Sequence, residues 1–345
     1  MNKKIYSLVT LLVGLSILLA ACAAPVSQAS NKVAIVVGGP HPYFAAMAQA
    51  AVDVKAQHKI GEVEYRVPQA WDLAQQNKLI ESLVSSGSKA FLLAPGDPVG
   101  SVTMMNELKN AGIISAVMAG CVSDPSPALF CMATDVYKSA NMGTKKLIEV
   151  IGGSGNIVHF TGLFADSNTQ LRIKAVEDAV AETGGKVKLV QTIADIDSPQ
   201  PADEAINAFL ASQGATLNGI VTSAWTPAVV ASTSLRTLGD KRIKMVAIDH
   251  DPIVLAAIKD GFVNGTMLQN PYGQAFLGTY ALSKLVSGCK FKDSAPFAKT
   301  AQTVRFIDTG TLFIGADQID KYVDGLKVLT EELRGSLDKD FISCP

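Results

Sequence analysis

The chain has almost no net charge. Its 30 lysines and arginines face 31 aspartates and glutamates over 345 residues, a formal charge of −1. That balance argues against nucleic acid as the main partner, which selects a basic face. Histidine is scarce: His41, His58, His159 and His250 are the four in the chain, and no cluster with the cysteines has zinc-ligand spacing. There is no Gly-x-Ser-x-Gly nucleophile elbow. The glycine-rich run IGGSGN precedes a strand signal rather than following one, the wrong order for a dinucleotide loop. An exported enzyme is therefore the weaker reading, and no cofactor and no metal are expected. Beyond the N-terminal segment, no apolar run is long enough to span a bilayer.

The N-terminal segment, residues 1–21, reads as a lipoprotein signal peptide. Lys3 and Lys4 form a basic start, and residues 5–19 form an apolar run too short for a comfortable membrane span. Leu19-Ala20-Ala21-Cys22 follows in the pattern of a bacterial lipobox, with Cys22 as the lipidated first residue. The alternative is an ordinary signal peptide and a chance cysteine. Residues 22–31 are small and polar, as in a tether. The expected location is extracytoplasmic, on a bacterial membrane. Four further cysteines, an even set outside the cytoplasm, point to disulfides with three possible pairings. Cys121–Cys131 is favoured because CVSDPSPALFC is a short loop bent by Pro125 and Pro127. Cys289–Cys344 would then pin the tail to a late helix, and free buried thiols remain the alternative.

Strand signals at 33–37, 62–67, 90–93, 114–118, 129–133, 157–160, 187–192, 219–221, 244–248, 265–268 and 303–307 alternate with helix signals. The helices read at 45–58, 73–85, 102–110, 136–151, 171–183, 202–212, 228–238, 253–259, 274–286 and 316–333. This rhythm is α/β, with parallel sheets covered by helices on both faces. One sheet of about ten strands would be unusually large, whereas two of about five or six fit. The first break falls near Thr134-Asp135.

In such sheets ligands bind beyond the carboxyl ends of the strands. After the first strand stands GGPHPYF: two glycines, then Pro40, His41, Pro42, Tyr43 and Phe44. Asp97 follows the third strand, and Ala119 and Gly120 the fourth. Asp166, Asn168, Gln170 and Arg172 follow the sixth. Trp225 follows the eighth, Asp249 with His250 and Asp251 the ninth, and Gln269 and Asn270 the tenth. Rings, amides and carboxylates with little cationic excess suit a polyhydroxylated ligand. Aromatic faces pack on C–H faces, a carboxylate accepts from hydroxyls, and an amide both donates and accepts. Prolines beside the rings lower the ordering cost of binding. Plainer alternatives stand beside each residue. Tyr43 and Phe44 also suit the first core turn of a helix, and Trp225 an interface or core. Asp249 also suits a helix cap, Asp97 a turn, Gln269 the surface and Arg172 a structural ion pair.

On PHPYFAAMAQAA, QQNKLIESLVSSGSKAFLLAPGDP, VAIDHDP and GTMLQNPYGQAFLGTYAL the chain resembles the type I periplasmic solute-binding proteins, the ribose-binding-like group of sugar transporters, over most of residues 32–310. The resemblance implies two doubly wound parallel-sheet lobes joined by a three-segment hinge. The N-lobe would comprise 32–134 plus 271–300, and the C-lobe 135–270 plus 301–315. Crossings would lie near Thr134-Asp135, Asn270-Pro271 and residues 299–302, with the C-terminal helix and tail, 316–345, assigned to neither lobe. It further implies that Tyr43 and Phe44 sandwich a sugar ring and that His41 stands where an Asn is usual. Asp249 and Gln269 take the family's ligand-binding positions. Gln170 aligns nearest the family's Arg, and Arg172 with a second, structural one. The chain departs from the pattern at Ala119-Gly120, in place of Asp-Arg, and at Ala224-Trp225, in place of Asn-Asp. The implied function is a monomeric receptor for a neutral sugar or polyol, touching the membrane only through its lipid. It would serve an ABC permease with a cytoplasmic ATPase. A sensor presenting its ligand to a membrane receptor is the alternative.

Overall fold

The computed structural model describes residues 32–345. The signal peptide, the lipidated Cys22 and the tether expected over residues 1–31 lie outside the described residues. In chain order the strands are β1 (Lys32–Val36), β2 (Glu62–Arg66), β3 (Ala90–Leu93), β4 (Ile114–Met118), β5 (Cys131–Ala133), β6 (Gly155–Phe160) and β7 (Val187–Ile193). Then come β8 (Gly219–Thr222), β9 (Lys244–Ile248), β10 (Gly265–Gln269), β11 (Lys290–Phe291), β12 (Phe306–Asp308), β13 (Thr311–Ile314) and β14 (Ile342–Ser343). They form two six-stranded sheets. The first runs β12-β5-β4-β3-β1-β2, all parallel, and the second β13-β10-β9-β8-β6-β7, parallel except for β13. β11 and β14 make a small antiparallel ribbon.

Strand β1 shows why the sheets are covered on both faces. All five of its residues are buried. Alternation sends Val33 and Ile35 into one core with Met47 and Phe276. Ala34 and Val36 enter another with Ile80, Leu83 and Met105. The helices Ala45–His58 and Pro271–Val286 cover the first face, and Leu73–Ser85 and Ser101–Asn110 the second. The second sheet carries its own core around Phe160, Ile220, Val246 and Ile258. Both disulfides, Cys121–Cys131 and Cys289–Cys344, are formed, and the first cysteine loop contains a cis Asp124-Pro125 bond.

The chain passes between the lobes three times. Two crossings follow β5 and β10. The third corrects the expectation for 301–315: β12 pairs with β5 in the first sheet, and only β13 joins the second. One strand signal at 303–307 stands for two short strands separated by Thr309 and Gly310, the latter at φ 79°, so this crossing lies beyond residues 299–302. Hydrogen bonds tie the three crossings together. The Thr309 amide donates to Ala133 O at 2.9 Å, and the Asp135 amide donates to Asp308 Oδ1 at 3.1 Å. Asn270 Nδ2 donates to Thr309 O at 3.2 Å and to Thr330 Oγ1 at 3.1 Å.

Thr330 belongs to the last helix, Tyr322–Ser336, which straddles both lobes. Leu326 packs with Leu268 and Ile314 of the second lobe. Leu333 packs on the core of the first, which also takes Leu337 and Phe341.

Candidate functional site

The opening glycines prove to be a seat. A Cβ on Gly38 would lie 2.6 Å from Gly96 Cα, and one on Gly39 would lie 2.7 Å from the Trp71 ring. The turn after β1 is therefore glycine because the loop after β3 and the indole of Trp71 press against it. Beyond it, His41 caps the short turn Pro42–Phe44, its Nδ1 accepting from the Tyr43 amide at 3.1 Å. That bond leaves the proton of the neutral ring on Nε2. Burial holds the His41 pKa below its ordinary value, against the pull of Asp197. Tyr43 OH donates to Gln274 Oε1 at 3.0 Å, and Gln274 Nε2 reaches Thr134 Oγ1 at 3.3 Å beside the first crossing. Burial, with the Asp249 charge, pushes the Tyr43 phenol well above its usual value. Phe44 is buried and stacks on Trp71, with centroids 5.8 Å apart and planes at 21°.

In the second lobe, Asp249 follows β9 with φ 65°, a left-handed conformation that Asp tolerates better than most residues. Its amide donates to Met267 O at 2.8 Å, and its carbonyl accepts from Thr266 Oγ1 at 2.7 Å. These bonds hold the side chain at the strand end, where it is 5% exposed. Oδ1 accepts from Gln269 Nε2 at 3.0 Å, and Gln269 Oε1 accepts from Arg172 Nη2 at 3.4 Å. Burial lifts the Asp249 pKa to about 6, against the Gln269 bond and the Arg172 charge. Trp225 opens a helix, and its Nε1 donates at 3.1 Å to Asp251, the cap of the next helix. Behind the site His159 is fully buried, with Nε2 2.6 Å from Ser223 Oγ. Burial and the Arg172 charge hold it neutral, with a pKa of about 3.

The two lobes meet through these groups. The His41 and Trp225 rings lie edge to face, 6.2 Å apart. Asp249 and Arg172 act electrostatically on Tyr43, and Asp197 on His41. His41, Tyr43, Trp225, Asp249 and Gln269 are thus brought together. Three candidates stand differently. Phe44 lies beneath Trp71 rather than as an open ring. Gln170 is exposed, and its Nε2 donates to Phe164 O at 3.2 Å within its own loop. Asn168 is half-buried, and its amide donates to the capping Asp166 carboxylate. Arg172, aligned with a structural position, is the residue of this helix that reaches Gln269. Trp71, Asp197 and Gln274 were not among the sequence candidates; the signal for Trp71 was the paired glycines that make room for it. Among the described residues, no group of three or more His, Cys, Asp or Glu side chains is placed to hold a metal ion.

A model of the periplasmic binding protein domain matches residues 33–290. A D-apiose import binding protein from Paraburkholderia graminis is 25% identical over 244 residues, covering 70% of this chain and 77% of the relative. Among solved structures, a sugar-binding protein of a Bacillus halodurans ABC transporter superposes with a TM-score of 0.74 at 18% identity, covering 85% of this chain and 99% of its own. A Burkholderia graminis solute-binding protein in complex with D-arabinose gives 0.71 at 21% identity, covering 84% and 97%. With its two covered sheets and three crossings, the chain belongs to the periplasmic binding protein family.

Proposed function

We propose that the protein is a lipid-anchored extracytoplasmic receptor that binds a neutral sugar or polyol between its lobes and delivers it to an ABC permease with a cytoplasmic ATPase. The observation that carries this reading is the buried Asp249 carboxylate, bridged through Gln269 to Arg172 and set against Tyr43, with the His41 and Trp225 rings in contact between the lobes. In the reading, Asp249 accepts from two ligand hydroxyls, and Gln269 and Arg172 complete the polar set. Tyr43 and Trp225 supply ring faces, Asn168 and Gln170 frame the mouth, and Phe44 backs the site from beneath Trp71. The ligand favours the closed form because only that form touches it from both lobes. A strongly anionic ligand would meet Asp249 and Asp197 with one nearby Arg172 as counter-charge. The names of the relatives, which speak of D-apiose import and bound D-arabinose, agree with a small hydroxylated cargo. The lipid anchor rests on the Cys22 motif alone.

A thermal-shift screen of free pentoses, hexoses and polyols tests the proposal. A true ligand at one hundred times its Kd adds about 2.7 kcal/mol of stability. Asp249→Ala is expected to abolish that shift while the variant still unfolds cooperatively. No shift from any of these compounds or from their glycosides overturns the ligand class, and an unchanged shift in the variant overturns the site.

A further inference from the structure

Trp71 is one of two tryptophans in the chain and stands in the loop after β2. It is 53% exposed, yet it is held on several sides. Nε1 donates to Gly96 O at 2.9 Å. The ring stacks on Phe44, and Gly39 leaves no room for a methyl beneath it. Gly38 and Gly39 follow β1 and Gly96 follows β3, so the indole lies over the carboxyl ends of adjacent strands, at the ligand mouth. An indole that is half in water gains little from such fixing, and the fixing costs side-chain entropy. A ring face ordered in advance lowers the ordering cost for whatever lands on it.

Exposed apolar side chains also stand after strand ends in both lobes. Val99, after β3, is 84% exposed, and Leu163 and Phe164, after β6, are 55% and 56% exposed. The latter loop is also held: the Phe164 amide donates to Asp195 Oδ1 at 2.9 Å. Apolar side chains left exposed beyond the carboxyl ends of strands in both lobes mark a place for an apolar group.

We infer that Trp71 is a specificity-determining platform for an apolar or aromatic substituent, so that the cargo is a glycoside rather than a bare sugar. The hydroxylated ring sits at Asp249, and the substituent lies on Trp71 and points to the rim. This rests on the proposed function, from which its failure can be told apart.

The test is calorimetric titration of the protein with each free sugar of the screen, its methyl glycoside and its 4-nitrophenyl glycoside. The aryl glycoside is expected to bind about tenfold or more tighter than the methyl glycoside, the scale of one aromatic contact. Trp71→Ala brings that ratio to within about twofold, Trp71→Phe keeps part of it, and Gly39→Ala lowers it by unseating the ring. The conservative Phe variant keeps the test valid should the Ala variant misfold. Free sugars that bind with no aryl preference, or a preference that survives Trp71→Ala, overturn this inference and leave the proposed function standing. The second result is also what a role for Trp71 in docking to a permease would give. Absence of binding by every sugar and glycoside overturns both.

Discussion

Asp249 provides a test in which stability and binding move in opposite directions. Its carboxyl is buried and its pKa is lifted from 3.8 to about 6. Between those values the folded state holds a proton that the unfolded chain has lost. Stability from this group is therefore fully present below pH 3.8 and is lost as the pH rises through about 6. At about 1.4 kcal/mol per pH unit, the buried charge costs the folded protein about 3 kcal/mol at neutral pH. Asn has nearly the same shape, accepts the Gln269 bond through Oδ1 and tolerates the left-handed backbone. Asp249→Asn is expected to stabilise the ligand-free protein at pH 7.5 by up to about 3 kcal/mol, a rise in Tm of several degrees, with the gain shrinking towards pH 4. The same change removes the carboxylate proposed to accept from ligand hydroxyls, so a sugar that raises the Tm of the wild type is expected to raise that of the variant less. Scanning fluorimetry from pH 4 to 8, with and without sugar, reads both effects. A variant no more stable than wild type at pH 7.5, or one whose advantage does not shrink in acid, refutes the desolvation argument.

Two other perturbations follow from the structure. Cys344→Ser opens a loop of sequence separation 55 and is expected to cost about 4 kcal/mol on the chain-entropy model; denaturant midpoints with and without reductant measure it, and an unchanged midpoint contradicts the estimate. His159, held neutral with a pKa of about 3, makes stability fall as the pH drops below 6.5, because the unfolded chain takes up a proton that the folded one refuses. His159→Gln is expected to flatten the acid limb of the stability profile between pH 4 and 6, and denaturant midpoints across that range detect it.

The fold was legible because strands buried on both faces write continuous apolar runs, as in VAIVV and AFLL, between helix-length amphipathic stretches. The third crossing was not, because β12 and β13 are short and the apolar signal does not say which sheet each joins. In the site, Asp249, Gln269, Trp225, Tyr43 and His41 stood out because each follows a strand. Gln170 and Arg172 show the limit of alignment by spacing. On the helix Ser167–Ala181 two positions apart are nearly opposite faces, and the one bonded to Gln269 is Arg172. Trp71 escaped because its partners Gly38, Gly39 and Gly96 are distant in sequence, and a lone tryptophan in a polar loop carries no periodicity.

The last helix has a bearing on how the jaws move. It is fastened to one lobe by Leu326 and to the other by Leu333, with Thr330 bonded at the pivot. Bending the molecule must slide or flex that rod. The angle between the lobes is therefore geared to residues far from the candidate site, and changes confined to the C-terminal helix can reset it while every side chain of that site stays as it is.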